Sequence, residues 1–169
     1  MHLSDPLRAA LAAFDGIALI GPRTDTKTEN LSIPTPLGPR IDGLDVSVVL
    51  TESMPPDDQI KLEGGGCFLH WFEHLEGNET AHLLTKSGQP AIMGGDNLRY
   101  LAGWPDDDTF DRIIGYHCDA LDLETHALPD GLRIRDTDTH RFVFNYAPKA
   151  QKWNGTKIPA AGLHWEPLP

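Results

Sequence analysis

Residues 4–21 read SDPLRAALAAFDGIALIG, and the start of the fold turns on this stretch. Ser4 and Asp5 ahead of Pro6 offer a cap and a proline in a first helical turn, and Leu7–Phe14 is an Ala/Leu-rich run that predicts a helix. Asp15-Gly16 stops it. Ile17-Ala18-Leu19-Ile20 is wholly apolar, as suits a strand buried on both faces of a parallel sheet. Helix, tight turn and buried strand make one αβ step of a layered α/β fold.

Downstream, Gly21–Gly43 carries four prolines and three glycines, which predicts a long surface loop of the functional or interface-forming kind. Asp45–Thr51 reads as a strand, and Gly64-Gly65-Gly66 as a flexible turn. Cys67–Leu75 (CFLHWFEHL) reads as a strand because aromatics crowd it and glycines bracket it closely. Thr80–Thr85 is a further strand, and Ala91–Met93 with Leu98–Ala102 predicts a hairpin over Gly94–Asn97. Asp106–Asp108 opens a helix from Thr109 to about Cys118 with Phe110, Ile113, Ile114 and His117 on one stripe. Leu132–Arg135 and Arg141–Tyr146 alternate as an antiparallel hairpin, and residues 162–166 as a last strand. A boundary is expected near residue 128, with an α/β part over 1–128 and a small antiparallel β-domain over 129–169.

The 169 residues suit one ordinary domain or one with an appendage. Fourteen Lys+Arg against 25 Asp+Glu give a net charge of −11, with the basic residues scattered, so neither nucleic acid nor an anionic membrane is an expected partner. Cys67 and Cys118 stand in no CxxC pair and no secretory leader is evident, so a reducing cytoplasm is the expected compartment.

Few motifs carry chemistry. His70-Trp71-Phe72-Glu73-His74 matches H-x-x-E-H. On a helix, His70 and His74 would share a face and clamp zinc with Glu73 as base, which makes a zinc hydrolase one alternative. On a strand the two histidines lie about 13 Å apart, and the strand reading leaves no metal site. Asn78-Glu79 resembles the acid/base pair of barrel glycosidases, but it sits in a tight turn with no identified partner carboxylate. The aspartates of 106–111 and 136–138 fit no calcium loop. Trp153 and Trp165 could stack on sugar rings, which makes a carbohydrate-binding module a second alternative. No catalytic residue and no cofactor is assigned.

Gly16–Thr24, Lys27–Glu29, Gly38-Pro39, Gly43–Val46, Trp71–Glu76, Gly88–Ala91, Leu98–Asp106, Arg141–Tyr146 and Pro159–Gly162, in that order, resemble the C-terminal part of family-42 β-galactosidases. Gly16–Thr24 followed by Lys27-Thr28-Glu29 is similar to the family's strand running into an Arg- and Thr-bearing loop. Gly38-Pro39 with Gly43–Val46, Trp71–Glu76, Gly88–Ala91 and Leu98–Asp106 resemble its next segments. Arg141–Tyr146 and Pro159–Gly162 resemble the hairpin and final turn of its small β-domain. The resemblance implies a truncated flavodoxin-like or amidotransferase-like layered sheet with flanking helices, of the kind used in trimerisation, followed by that β-domain. It also implies that the catalytic glutamates belong to a barrel absent from this chain, so Glu79 inherits no role. The expected function is a non-catalytic scaffold that self-associates through open strand edges or joins a catalytic barrel.

Overall fold

The computed structural model describes residues 2–168, which form two compact units divided between Glu124 and Thr125. They are mostly β-sheet with two short helices. In the first unit, α1 (Asp5–Ala12) takes Pro6 in its first turn as its sequence requires, and β1 (Ala18–Ile20) follows. The strands β2 (Val46–Ser53), β3 (Gln59–Lys61), β4 (Cys67–Gly77), β5 (Thr80–Leu84), β6 (Pro90–Gly94), β7 (Leu98–Leu101) and β8 (Gly103–Pro105) precede α2 (Asp107–Ala120).

One sheet runs in the order β1-β7-β6-β5, and in the other β4 pairs with β2, β3 and β8. The αβ step of residues 4–21 is present, but its parallel pairing goes no further. The β1–β7 ladder is the one parallel pair among the described strands, and the rest are antiparallel. Tight turns at Lys86–Gly88 and Gly95–Asn97 force that outcome for β5–β6 and β6–β7, because a parallel neighbour needs a crossover of about a dozen residues or more. With a partner on one side alone, β1 buries Ile20 and leaves Ala18 and Leu19 half-covered, not buried on both faces as its sequence suggests.

Ala102 joins the two sheets. Its N–H donates to Ala91 O at 2.9 Å, and its carbonyl accepts from Glu73 N–H at 2.7 Å. No room is left beside it, since a side chain at Gly103 would meet Phe68 at 2.3 Å. Phe68, Phe72, Leu62 and Tyr100 are fully buried in the shared core, each apolar side chain contributing about 1.5–3 kcal/mol.

Asp106 caps α2, its Oδ1 accepting from Thr109 N–H at 2.8 Å. The helix buries Thr109, Ile113 and His117, whereas Phe110 and Ile114 of the expected stripe face outward. Its first turns lock the triple-glycine turn: Thr109 Oγ1 accepts from Cys67 N–H at 3.0 Å, and the Arg112 guanidinium donates to Gly65 O. All three glycines have positive φ, and a Cβ on Gly66 would fall 1.9 Å from Thr109 Oγ1, so this turn is fastened, not flexible.

The second unit holds β9 (Leu132–Asp136), β10 (His140–Asn145), β11 (Gln151–Trp153), β12 (Thr156–Ile158) and β13 (Leu163–Pro167). A three-stranded sheet β13-β10-β9 packs Leu132 and Val143 on Ile158, with Trp153 against them. Asn145, fully buried, ties the unit by donating to Lys149 O at 2.9 Å and Pro159 O at 2.7 Å. Among the described residues, no helix is long and apolar enough to cross a membrane.

Candidate functional site

The polar heart of the first unit is two buried carboxylates that fasten the loop after β1. Glu73 lies on β4 amid aromatics and is fully buried. Its Oε1 accepts from Trp71 Nε1 at 3.0 Å and from Arg23 N–H at 3.1 Å, and its Oε2 accepts from the Tyr100 hydroxyl at 2.7 Å. Burial, then the Glu73 charge, pushes the Tyr100 phenol far above its ordinary range, so it stays a donor. The Arg23 guanidinium lies 4.8 Å from the centre of the Trp71 ring, a cation–π contact at the loop's entrance.

Asp25 is likewise fully buried. Its Oδ2 meets Arg8 of α1 at 2.7 Å and Arg40 at 2.6 Å, and its Oδ1 accepts from Leu3 N–H at 3.2 Å. Burial alone would raise its pKa, but hydrogen bonds from Arg8, Leu3 and Arg40 overrule it and hold the carboxyl below its ordinary value. Arg23 and Asp25 both have left-handed backbone (φ 64° and 56°), a conformation kept because these contacts over-determine it. Outside Asp25, α1 and the loop border an open depression of about 640 Å³ in which Asp5 and Glu29 stand with Arg8 and Arg40.

The H-x-x-E-H residues lie on a strand. His70, at φ 63° beside a register shift in β4, is exposed, and its carbonyl accepts from Met54 N–H. His74 Nε2 lies 2.9 Å from Glu52 Oε1, and its Nδ1 lies 2.9 Å from Gln89 Nε2. Neighbouring residues of a strand point to opposite faces, so Glu73 enters the core while His74 meets Glu52 and Gln89. Among the described residues, no group of three or more His, Cys, Asp or Glu is placed to hold a metal.

Glu79 Oε1 accepts from Asp45 N–H at 3.1 Å and Asn78 Nδ2 donates to Asp45 Oδ2 at 2.7 Å, so this turn latches the start of β2. Asp136 makes a two-pronged pair with Arg141 at 2.9 and 2.7 Å. Cys67 Sγ donates to Asp106 Oδ2 at 2.9 Å. Burial and then Asp106 push its pKa to about 11. At pH 8 its thiolate fraction then lies roughly two orders of magnitude below an ordinary cysteine's. Iodoacetamide is expected to label Cys67 only after denaturation, and peptide mapping of native and unfolded samples checks this.

Trp153 packs into the second unit's core, where it meets His126 edge-on. Trp165 is 54% exposed and stands opposite Phe142. Phe142, Phe144 and Tyr146 stack along β10 at 6.4 and 6.1 Å, and Arg135 and Arg133 flank the two phenylalanines from β9. One face of this sheet is thus aromatic and cationic, where an outer face would ordinarily be polar.

This architecture has known counterparts. A β-galactosidase of Thermus thermophilus is 36% identical over 149 residues, covering 83% of this chain. The chain belongs to the family-42 β-galactosidases. It spans 23% of that relative's length. The β-galactosidase of psychrophilic Marinomonas ef1 superposes with a TM-score of 0.87 at 26% identity, over 97% of this chain and 27% of that one. Gan42B, a GH42 β-galactosidase from G. stearothermophilus, shares the fold with a TM-score of 0.69 at 14% identity, over 96% of this chain and 28% of its own. No protein-family model matches the chain. The Gly16–Thr24 and Trp71–Glu76 segments that suggest this family are those carrying Arg23 and Glu73.

Proposed function

We propose that this chain is the non-catalytic C-terminal portion of a β-galactosidase-type protein, a scaffold that presents the 21–43 loop. The observation that carries this reading is the commitment of Glu73 and Asp25, both fully buried, to holding that loop. On this reading the hydrolytic carboxylates belong to a barrel outside the chain. α1 and the β1–β7 pair belong to a flavodoxin-like or amidotransferase-like layered domain over 1–128, and residues 129–169 form the small β-domain. The free edge of β1 supports self-association, of the trimerising kind, or contact with the barrel. Both cysteines are free thiols, which supports a cytoplasmic setting.

Purified chain is expected to show no turnover of a chromogenic β-galactoside; turnover abolished by Glu79→Gln would defeat the scaffold reading. Light scattering at high concentration tests assembly, and a monomer there would remove that part.

The aromatic face of the second unit favours a second reading, a carbohydrate-binding module. On it, titration with galacto-oligosaccharides gives a saturable change in tryptophan fluorescence that Trp165→Ala removes. A flat titration discards it. The zinc alternative at His70, Glu73 and His74 has no such support, and elemental analysis for stoichiometric zinc tests it independently.

A further inference from the structure

The open depression beside Asp25 carries charge that the anchor leaves over. Arg8 Nη2 and Arg40 Nη2 meet the same oxygen, Asp25 Oδ2, at 2.7 and 2.6 Å, so the two guanidinium heads lie side by side. One carboxylate balances one of these two cations. A guanidinium has five N–H donors, and the anchor engages only Nη2 of Arg8 with Nε and Nη2 of Arg40. The donors left over belong to side chains that line the depression and are 19% and 37% exposed. His2, with Nδ1 3.7 Å from Asp25 Oδ1, adds a third basic group to this side.

The same walls carry the opposite charge. Asp5 and Glu29 are exposed there, and among the described residues neither forms an ion pair. Asp5 precedes Arg8 by three residues on α1, so the two share a helix face with Cβ atoms about 5–6 Å apart. Arg8 is held by Asp25, and Asp5 is left for another partner. Ser4, whose side chain makes no capping bond, and Thr28 bring hydroxyls to the same space. Among the described residues that line it, Pro6 alone is apolar and none carries a phenyl or indole ring, so a sugar finds no stacking platform.

An anion alone would meet Asp5 and Glu29, and a cation alone would meet Arg8 and Arg40. A molecule bearing both charges satisfies both sides. We propose that the depression binds a free α-amino acid, its carboxylate on Arg8 and Arg40 and its ammonium on Asp5, with Glu29 as the second acceptor. The two charges of such a ligand are one carbon apart, a separation that suits acceptor and donor one helical turn apart. Each end gains a charge-assisted hydrogen bond. The ligand is neutral overall, so the net charge of the site is unchanged on binding, and no proton moves. Nothing in this site depends on the scaffold reading.

The test is NMR titration of the isotope-labelled full chain at constant ionic strength, with glycine as the minimal probe. Acetate and methylammonium, which each keep one end of glycine, are titrated beside it. The Nε–H resonances of Arg8 and Arg40 should move saturably with glycine. Acetate and methylammonium should each bind at least about tenfold more weakly, because each forfeits one charged contact. 6-Aminohexanoate, which holds the same two charges far apart, should also bind more weakly than glycine. In the double variant Asp5→Asn, Glu29→Gln, glycine should bind no better than acetate; if that variant does not fold, the wild-type comparison of the four probes decides. The proposal is overturned by no saturable response to glycine, or by acetate or methylammonium matching it, which marks a site for one charge only. A match by 6-aminohexanoate, or a preference for glycine over acetate that survives the double variant, overturns it equally.

Discussion

Asp25→Ala will lower the unfolding free energy by about 3–5 kcal/mol, the usual cost of removing one partner from a buried ion pair. The substitution leaves Arg8 and Arg40 facing one another across the position that neutralised them, and it frees Leu3 N–H. It also places alanine at φ 56°, which a short polar side chain tolerates better. Chemical denaturation measures the loss, and limited proteolysis should show new cuts within residues 21–43. Asp25→Asn keeps the left-handed preference and one acceptor, so it should retain part of the stability. Wild-type stability within ~1 kcal/mol in Asp25→Ala would mean the arginines find other acceptors. Acid acts on the same anchor: the folded-state pKa lies below the ordinary 3.8, so the contribution is complete above that value and lost as pH falls through the depressed one.

Glu73→Ala will cost a similar ~3–5 kcal/mol, because three buried or half-buried donors lose their acceptor and each unsatisfied group costs about 1–3 kcal/mol. Tyr100→Phe removes one of these donors and should cost about 1–2 kcal/mol. The two are coupled, so the double variant should lose less than the sum of the singles, by about 0.5–3 kcal/mol. Strict additivity would show that the 2.7 Å contact carries no energy. Chelator or zinc should leave wild type and Glu73→Ala equally unaffected, since Glu73 acts here as an acceptor for loop and core.

Local chemistry made much of the fold legible. Aromatics between glycines mark β4, Asp106 marks the start of α2, and the alternation of Arg141–Tyr146 marks β10. The β11–β12 hairpin carries an Asn154-Gly155 turn, which is a strong local hairpin signal. β3 and β8 are three residues each and leave no periodicity to detect. The parallel-sheet expectation fails for a different reason: an apolar run such as Ile17–Ile20 reports burial, not how many neighbours the strand has.

The anchors were not legible because their partners are distant in the chain. Glu73 reaches 27 residues to Tyr100 and 50 to Arg23, and Asp25 reaches 15 to Arg40. Nothing in the local sequence separates Asp25 from the other polar residues of the 21–43 loop. In the same way Glu73 reads as part of a metal motif until Trp71 and Tyr100 are seen donating to it.

Ala102 has a consequence for how the first unit comes apart. A single residue carries the chain from one sheet to the other while bonded to Ala91 in the first and Glu73 in the second. Neither layer can peel away without tearing that seam, and the seam holds the carboxylate on which the 21–43 loop hangs. Amide protons of Ala102, Glu73 and Arg23 should therefore exchange in one cooperative event, so that the loop, for all its irregular course, is as slow to open as the sheets beneath it.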